Sequence, residues 1–251
     1  MNALHKLAVL SLRMARIALR SPQRLSHVLG TALAASDEVS TPALDLLRLP
    51  QVTVEDLLPD SGDIRAHFAF FPKTNASVSV LEFVCLVLLL KKTPAVNIFE
   101  FGTYKGVSIT QLALNVAQGA RILTLDLPEE SAVTAFDISF QKDAVIARQT
   151  GKGALVPEDL RPRITFLKSD SATFDETAYR DQIDFVFVDG AHNMEYVRND
   201  SEKGWRMLRK GGIMAWHDFV PADPDVVRYL LECPYFPKRV VGTSLAFAAK
   251  M

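Results

Sequence analysis

The sequence predicts an α/β fold: a doubly wound, mostly parallel, seven-stranded Rossmann-like sheet with an N-terminal helical extension. Three observations carry this expectation. Short runs that are apolar almost throughout alternate with stretches of helical period, which is how strands covered on both faces by helices read in sequence. Four of these runs end in polar or acidic residues: Glu100 with Gly102, Asp126, Asp170 with Ser171, and Asp189. A glycine-bearing turn, "EFGTYKG", joins one of the runs to the helix that follows it.

The chain begins with a segment apart from this pattern. Residues 1–30 place Lys6, Arg13, Arg16, Arg20 and Arg24 on one side of a helix, and Leu7, Leu10, Met14 and Ile17 on another. Such a basic amphipathic helix suits either an anionic membrane surface or packing on the domain or a second subunit. Charges interrupt its apolar stretch and no small-residue cleavage site follows, so a signal peptide is not expected. Residues 31–75 lack a sustained period; Pro42, Pro50, Pro59 and Pro72 break them into an irregular, partly helical cover.

Regular structure starts at residue 76 and fills a domain over 76–251. The run "VSVLEFVCLVLLL" is too short to span a bilayer, which takes about 20 residues, and it contains Glu82, so it reads as a buried helix over 77–91. After Pro94 come a strand over 96–101, a helix over 106–117 stopped by Gly119, and a strand over 121–127. A long helix is expected over 132–150, then a loop through Gly151, Gly153 and Pro157. Strands follow at 164–168 and 183–189, then a helix over 194–208 stopped by "KGG". "IMAWHDF" is a further strand. Residues 239–249 read as one terminal strand, with room for a short one before it.

Composition narrows the partners. A net charge of −1 provides no global field for nucleic acid. Cys85 and Cys233 lie far apart without metal-type spacing, which argues against a disulfide framework and for a reducing, cytoplasmic setting, with peripheral membrane contact left open by the basic helix.

In open α/β sheets the ligand crevice lies outside the carboxyl ends of the strands, so the strand-end groups are expected to converge. The turn lacks the G-x-G-x-x-G spacing, which argues against tight pyrophosphate docking and against a nicotinamide-dependent oxidoreductase. Asp126 is placed to accept both hydroxyls of a ribose. Asp170 and Ser171 are placed near an adenine edge.

This combination resembles the class I S-adenosylmethionine-dependent methyltransferases, within them the small-molecule O-methyltransferases of the methyltransferase 24 domain family, and more distantly the catechol and caffeoyl-CoA O-methyltransferases. The segment that carries the resemblance is "VDGAH", a helix, "GG" and a strand ending in "HD". The resemblance implies that Glu100, Gly102, Thr103, Gly106 and Ser108 line the sulfonium ligand, that Asp126 holds its ribose and that Asp170 with Ser171 approach its adenine. It implies that Asp189 sits near the amino-acid end or a metal, and that His192 stands where the catechol enzymes carry a basic lysine, as general base. Where those enzymes hold a divalent cation with an Asp-Asn pair, this chain has His217 and Asp218. Asp189, His217 and Asp218 are therefore the candidate metal ligands, with an imidazole better suited to manganese or zinc than to magnesium. The implied acceptor is a small-molecule hydroxyl, on a sugar, a glycan or a secondary metabolite.

Structural roles compete for each residue. Glu100 is also a candidate helix cap, Asp170 a cap for "SATFDETAYR", His192 a cap in competition with Asn193, and His217 a core histidine beside Trp216. A non-catalytic homologue on the same fold is a further alternative.

Overall fold

The structure is a computed structural model that describes residues 45–60, 62–71, 78–129, 134–138 and 140–251. The amphipathic helix expected over 1–30 and the cover segment up to residue 44 lie outside the described residues. The described elements, in chain order, are β1 (Gln51–Val52), α1 (Val80–Lys91), β2 (Asn97–Phe101), α2 (Val107–Leu114), β3 (Arg121–Asp126), α3 (Gln141–Ala147) and β4 (Ile164–Lys168). They continue with β5 (Ile183–Val188), α4 (Met194–Met207), β6 (Leu208–Trp216), α5 (Pro224–Glu232), β7 (Lys238–Val240) and β8 (Ala246–Ala249).

The strands form one sheet in the order β1-β7-β8-β6-β5-β2-β3-β4. All neighbours are parallel except β8, which runs antiparallel to both β6 and β7. From β2 the chain winds outward to β3 and β4, then returns to β5 on the other side of β2. The reversal opens a crevice at the carboxyl ends of β2 and β5.

Alternation along the strands builds two cores. Ile98 and Ile122 pack with Leu86, Leu89, Ile109 and Leu112 of α1 and α2. Phe99, Phe101, Leu123 and Leu125 pack with Val197 and Met207 of α4 and Leu230 of α5. Burial on both faces is what makes β2 and β5 apolar nearly throughout. α1 starts with a capping box: the Ser79 hydroxyl accepts from Glu82 N, and the Glu82 carboxylate accepts from Ser79 N. Its buried residues run from Glu82 to Leu90 almost without interruption, as expected of a core helix. Among the described residues no helix is long and apolar enough to cross a membrane.

The structure differs from the sequence expectations in five places. Between 132 and 150 the described helix is confined to Gln141–Ala147. The terminal strand is two strands, because Gly242 at φ +84° reverses the chain and Val240 N donates to Leu245 O at 2.9 Å. "KGG" does not separate α4 from β6: the helix runs to Met207, the strand begins at Leu208, and Gly211 lies within β6, whose pairing with β5 shifts register between Ile183 and Phe185. α5 is additional; Pro224 at its first turn and the apolar period of "VVRYLL" are its sequence signals. The two-residue β1, inside the stretch that reads as irregular, gives the sheet its eighth strand.

Candidate functional site

A cavity of about 750 Å³ opens over the carboxyl ends of β2 to β6. Seven of the residues singled out from the sequence line it: Gly102, Asp126, Ser171, Asp189, His192, His217 and Asp218. Glu100, Thr103, Gly106, Ser108 and Asp170 are not among its lining residues.

The glycine turn brings two strand ends together. Gly102 has φ +94°, and a Cβ there would sit 1.9 Å from the backbone oxygen of Asp189. Asp189 N donates to Phe101 O at 2.9 Å, and Gly102 N to Leu125 O at 2.8 Å, so β2, β3 and β5 are joined where the crevice begins. Gly106, at φ +82°, precedes α2, and a Cβ there would meet Val156 Cγ2 at 2.4 Å. These two positions need glycine for close approach as well as for backbone angle.

Glu100 faces α2 and is fully buried. It caps no helix end. Ser108 Oγ donates to its Oε1 and Thr124 Oγ1 to its Oε2, each at 2.6 Å. Thr103 Oγ1 lies 2.7 Å from Thr124 Oγ1 and extends the chain of hydroxyls. Burial pushes the Glu100 pKa up to about 8, against the opposing effect of the two hydroxyl donors. A carboxyl that keeps its proton in the folded state, with an ordinary value near 4.5 when unfolded, makes stability fall as pH rises between those two values. Glu100→Gln is therefore expected to flatten the decline of Tm between pH 5 and 8, by about 1.4 kcal/mol per unit of pKa difference removed. Parallel melts of the two proteins across that range check this, and superimposable profiles would refute it.

Asp126 is held in place by the main chain. Its Oδ2 accepts from Tyr104 N at 2.8 Å, and its Oδ1 from Leu127 N at 2.7 Å. Lys152 Nζ reaches the same Oδ1 at 2.5 Å and Leu127 O at 2.8 Å. Lys152 was not singled out from the sequence. It stands on the loop through Gly151 and Gly153, whose residues 151 and 152 donate backbone N–H groups to Glu129 Oε1.

Asp170 closes its own turn. Its Oδ1 accepts from Ala172 N at 2.8 Å, and its Oδ2 from Ala135 N at 2.7 Å and the Tyr196 hydroxyl at 2.9 Å. Two residues of α4 complete this corner. Lys203 Nζ donates to the carbonyls of Ser171, Ala172 and Phe174 at 2.6–3.0 Å. Asp200, almost wholly buried, lines the cavity beside Ser171, and burial pushes its pKa up to about 7.

The far end of the cavity gathers imidazoles and carboxylates. Asp189, His217 and Asp218 offer ligand atoms that all lie within 4.8 Å of one another. His217 Nδ1 is 3.2 Å from Asp189 Oδ1 and 3.1 Å from Asp218 Oδ2, yet neither ring nitrogen is aligned for a hydrogen bond, although both are buried. Buried polar atoms without partners are uncommon and call for an explanation. Two carboxylates converging on an unpartnered imidazole form a donor set that fits a divalent cation such as manganese. Asp218 has φ +58°, a backbone conformation found at sites where position outweighs local strain.

His192 bridges two carboxylates and caps no helix. Its Nδ1 lies 2.7 Å from Asp143 Oδ1 on α3, and its Nε2 lies 2.5 Å from Asp218 Oδ2. Its backbone N also donates to Asp143 Oδ2 at 2.8 Å. Burial alone would lower the imidazole pKa, but Asp143 and Asp218 outweigh it and push the value up to about 10. Asp143 was missed because it lies within a segment that reads only as helix.

Residues 99–219 match the model of a family described as a methyltransferase domain. A protein of Arabidopsis thaliana described as a caffeoyl-CoA O-methyltransferase is 30% identical over 161 residues, 61% of this chain and 62% of that protein. The chain thus spans less than two thirds of that relative's length. Among solved structures, the O-methyltransferase of Bacillus cereus in complex with SAH is 18% identical, with a TM-score of 0.46 over 88% of this chain and 97% of that one. TomG of Streptomyces achromogenes, an O-methyltransferase involved in tomaymycin synthesis and solved with SAM, is 16% identical, with a TM-score of 0.47 over 70% of this chain and 83% of that one.

Proposed function

We propose, from the match of residues 99–219 to the model of a methyltransferase domain, that the protein transfers a methyl group from S-adenosylmethionine to a hydroxyl of a small molecule. A sugar, a glycan or a secondary metabolite is the acceptor class. The observation that carries the reading is the convergence of Gly102, Asp126, Asp189 and His192 on one cavity from three strand ends. Asp126, already oriented by two backbone N–H groups, takes the ribose hydroxyls, displacing the amine of Lys152 from Oδ1. The Gly102 turn leaves the backbone open beside the sulfonium, and Ser171 faces the adenine. Asp170, Thr103, Gly106, Ser108 and Glu100 serve this pocket from behind by fixing its turns.

Methyl transfer forms an oxygen–carbon bond, breaks a carbon–sulfur bond and requires the hydroxyl proton to leave. His192 is the residue proposed to accept it at Nε2: Asp143 and Asp218 together hold the ring protonated, so Asp218 has to turn away and the ring to lose that proton before the hydroxyl arrives, with Asp143 orienting the ring through Nδ1. For this the acceptor hydroxyl takes the place that Asp218 Oδ2 now holds against Nε2. Asp189, His217 and Asp218 would hold a divalent cation, which lowers the pKa of a bound hydroxyl and orients it. The cavity walls position the oxygen in line with the carbon–sulfur bond, and positioning of this kind supplies much of the rate.

Isothermal calorimetry with S-adenosylhomocysteine, with NAD as the control, tests the cofactor. Binding of the first alone is expected; heat with NAD alone would overturn the reading. Methyl release is then measured on a panel of sugars and phenols after chelation with EDTA. Activity is expected to fall by at least tenfold and to return further with Mn²⁺ than with Mg²⁺, because imidazole is a poor ligand for the harder ion. Full activity after exhaustive chelation would remove the cation from the mechanism.

A further inference from the structure

We propose that Glu82, on the first turn of α1, is a positioning residue for the candidate cation site, holding the His217 ring so that Nδ1 is the nitrogen offered to the ion. The inference rests on the cation reading above and concerns a residue that lies outside the matched domain, which begins at residue 99.

Glu82 does more than its capping box requires. A capping box needs one side-chain acceptor for the N-cap N–H, and a glutamine serves as well as a glutamate. Here the carboxylate is 9% exposed and both oxygens are engaged. Oε2 accepts from Ser79 N at 2.8 Å. Oε1 accepts from Ser244 N at 2.8 Å and from Ser244 Oγ at 2.7 Å, across 162 residues of chain. Three donors from two separate elements thus fix one buried carboxylate, and what it faces is His217: Oε2 lies 3.5 Å from Nε2. At that distance the contact is longer than a hydrogen bond, so it acts by charge and orientation. Phe187 flanks the imidazole edge-on, with ring centroids 6.3 Å apart.

The two nitrogens of His217 therefore see different surroundings. Nδ1 points at Asp189 and Asp218, 3.1–3.2 Å away, and Nε2 points at Glu82. A neutral imidazole can ligate a metal only through the nitrogen without hydrogen, and its other N–H needs an acceptor. Glu82 is the carboxylate that faces this N–H, beyond hydrogen-bond length. Once Asp189 and Asp218 are engaged by the ion, the charge of Glu82 favours hydrogen on Nε2 and leaves the Nδ1 lone pair for the ion. Glu82→Gln removes the negative charge that faces Nε2, and with it the preference for hydrogen on that nitrogen.

The test is Mn²⁺ binding followed by electron paramagnetic resonance on the full chain, in the absence of any acceptor. Wild type is expected to bind Mn²⁺ and to show nitrogen coupling from one imidazole in the spin-echo modulation. Glu82→Gln is expected to weaken Mn²⁺ binding by about 10–100-fold, the range for partners of metal-bound histidines. Ser79→Ala, which removes the reciprocal half of the capping box and leaves the Glu82 carboxylate in place, is expected to stay within about twofold of wild type. Equal losses in Glu82→Gln and Ser79→Ala, or no loss in Glu82→Gln, would overturn the role of Glu82 while leaving the cation site standing. Absence of Mn²⁺ binding by wild type would overturn the cation site and this inference with it. Should Glu82→Gln fold poorly, the wild-type protein loaded with diamagnetic Zn²⁺ answers the same question. Long-range nitrogen–proton spectra are expected to show His217 with hydrogen on Nε2, and hydrogen on Nδ1 would refute the proposal.

Discussion

His192→Ala is expected to lower turnover by about 10²–10⁴-fold, the usual contribution of a positioned acid–base group, while the affinity for S-adenosylhomocysteine stays within about threefold. The asymmetry follows from where the ring stands. Its Nδ1 is occupied by Asp143 and its backbone N by the same carboxylate, so the ring is oriented from α3. Only Nε2 is turned toward Asp218 and the candidate ion ligands. Asp126, Gly102 and Ser171, proposed to hold the cofactor, make none of these contacts. Removing the imidazole leaves Asp143 and Asp218 without the positive charge between them, so the variant's Tm has to be measured beside its rate. His192→Gln, which keeps hydrogen-bond donors to the carboxylates but cannot take up a proton near neutrality, separates the two effects. Single-turnover methyl transfer at saturating cofactor reads the chemical step, and a rate within threefold of wild type in both variants would remove His192 from proton transfer.

What the sequence made legible divides along a physical line. β2, β3 and β5 were found within a residue or so because burial on both faces forces continuous apolar runs, and the crevice followed from where those runs end. Asp126 and Asp189 sit at those ends, and His217 and Asp218 at the end of β6, so their convergence was readable without knowing any contact. Groups that act across the chain left no local mark. Asp143 meets His192 across 49 residues, Lys152 meets Asp126 across 26, and Glu82 meets Ser244 across 162. Each lies in a helix or loop whose local pattern is satisfied without it. Glu82 stood out as a charge inside an apolar helix, and the Ser79-x-x-Glu82 spacing signals a cap, but the task of its second oxygen depends on the turn between β7 and β8. Asp170 shows the reverse case: a strand-end carboxylate whose oxygens are taken by Ala135 N, Ala172 N and the Tyr196 hydroxyl, so that it builds the corner in which Ser171 faces the cavity.

Gly102→Ala is expected to be the most damaging single methyl group in the described structure. Two costs add there. At φ +94° any residue with a Cβ is strained by roughly 1–2 kcal/mol. The new carbon would also stand 1.9 Å from Asp189 O and 2.6 Å from Asp189 C. Neither is a side-chain end that can swing away. Asp189 N is bonded to Phe101 O, and His217 N to Val188 O at 3.1 Å, so a shift of the Asp189 peptide disturbs β2, β5 and β6 together. Opening that junction is expected to cost about 4 kcal/mol or more, in the range reserved for severe overpacking and backbone strain, or roughly 10 °C in Tm for a domain of this size. It also moves Asp189 and the Gly102 turn apart, so affinity for S-adenosylhomocysteine is expected to fall at least a hundredfold in whatever fraction stays folded. Gly119→Ala is the matched control: a Cβ there meets nothing within 4 Å, and a change below about 0.5 kcal/mol is expected. Differential scanning fluorimetry with and without S-adenosylhomocysteine reads both quantities in one experiment. A Gly102→Ala protein with wild-type Tm and a full ligand-induced shift would mean that the two strand ends do not meet as closely as described, and the crevice built on their contact would have to be abandoned.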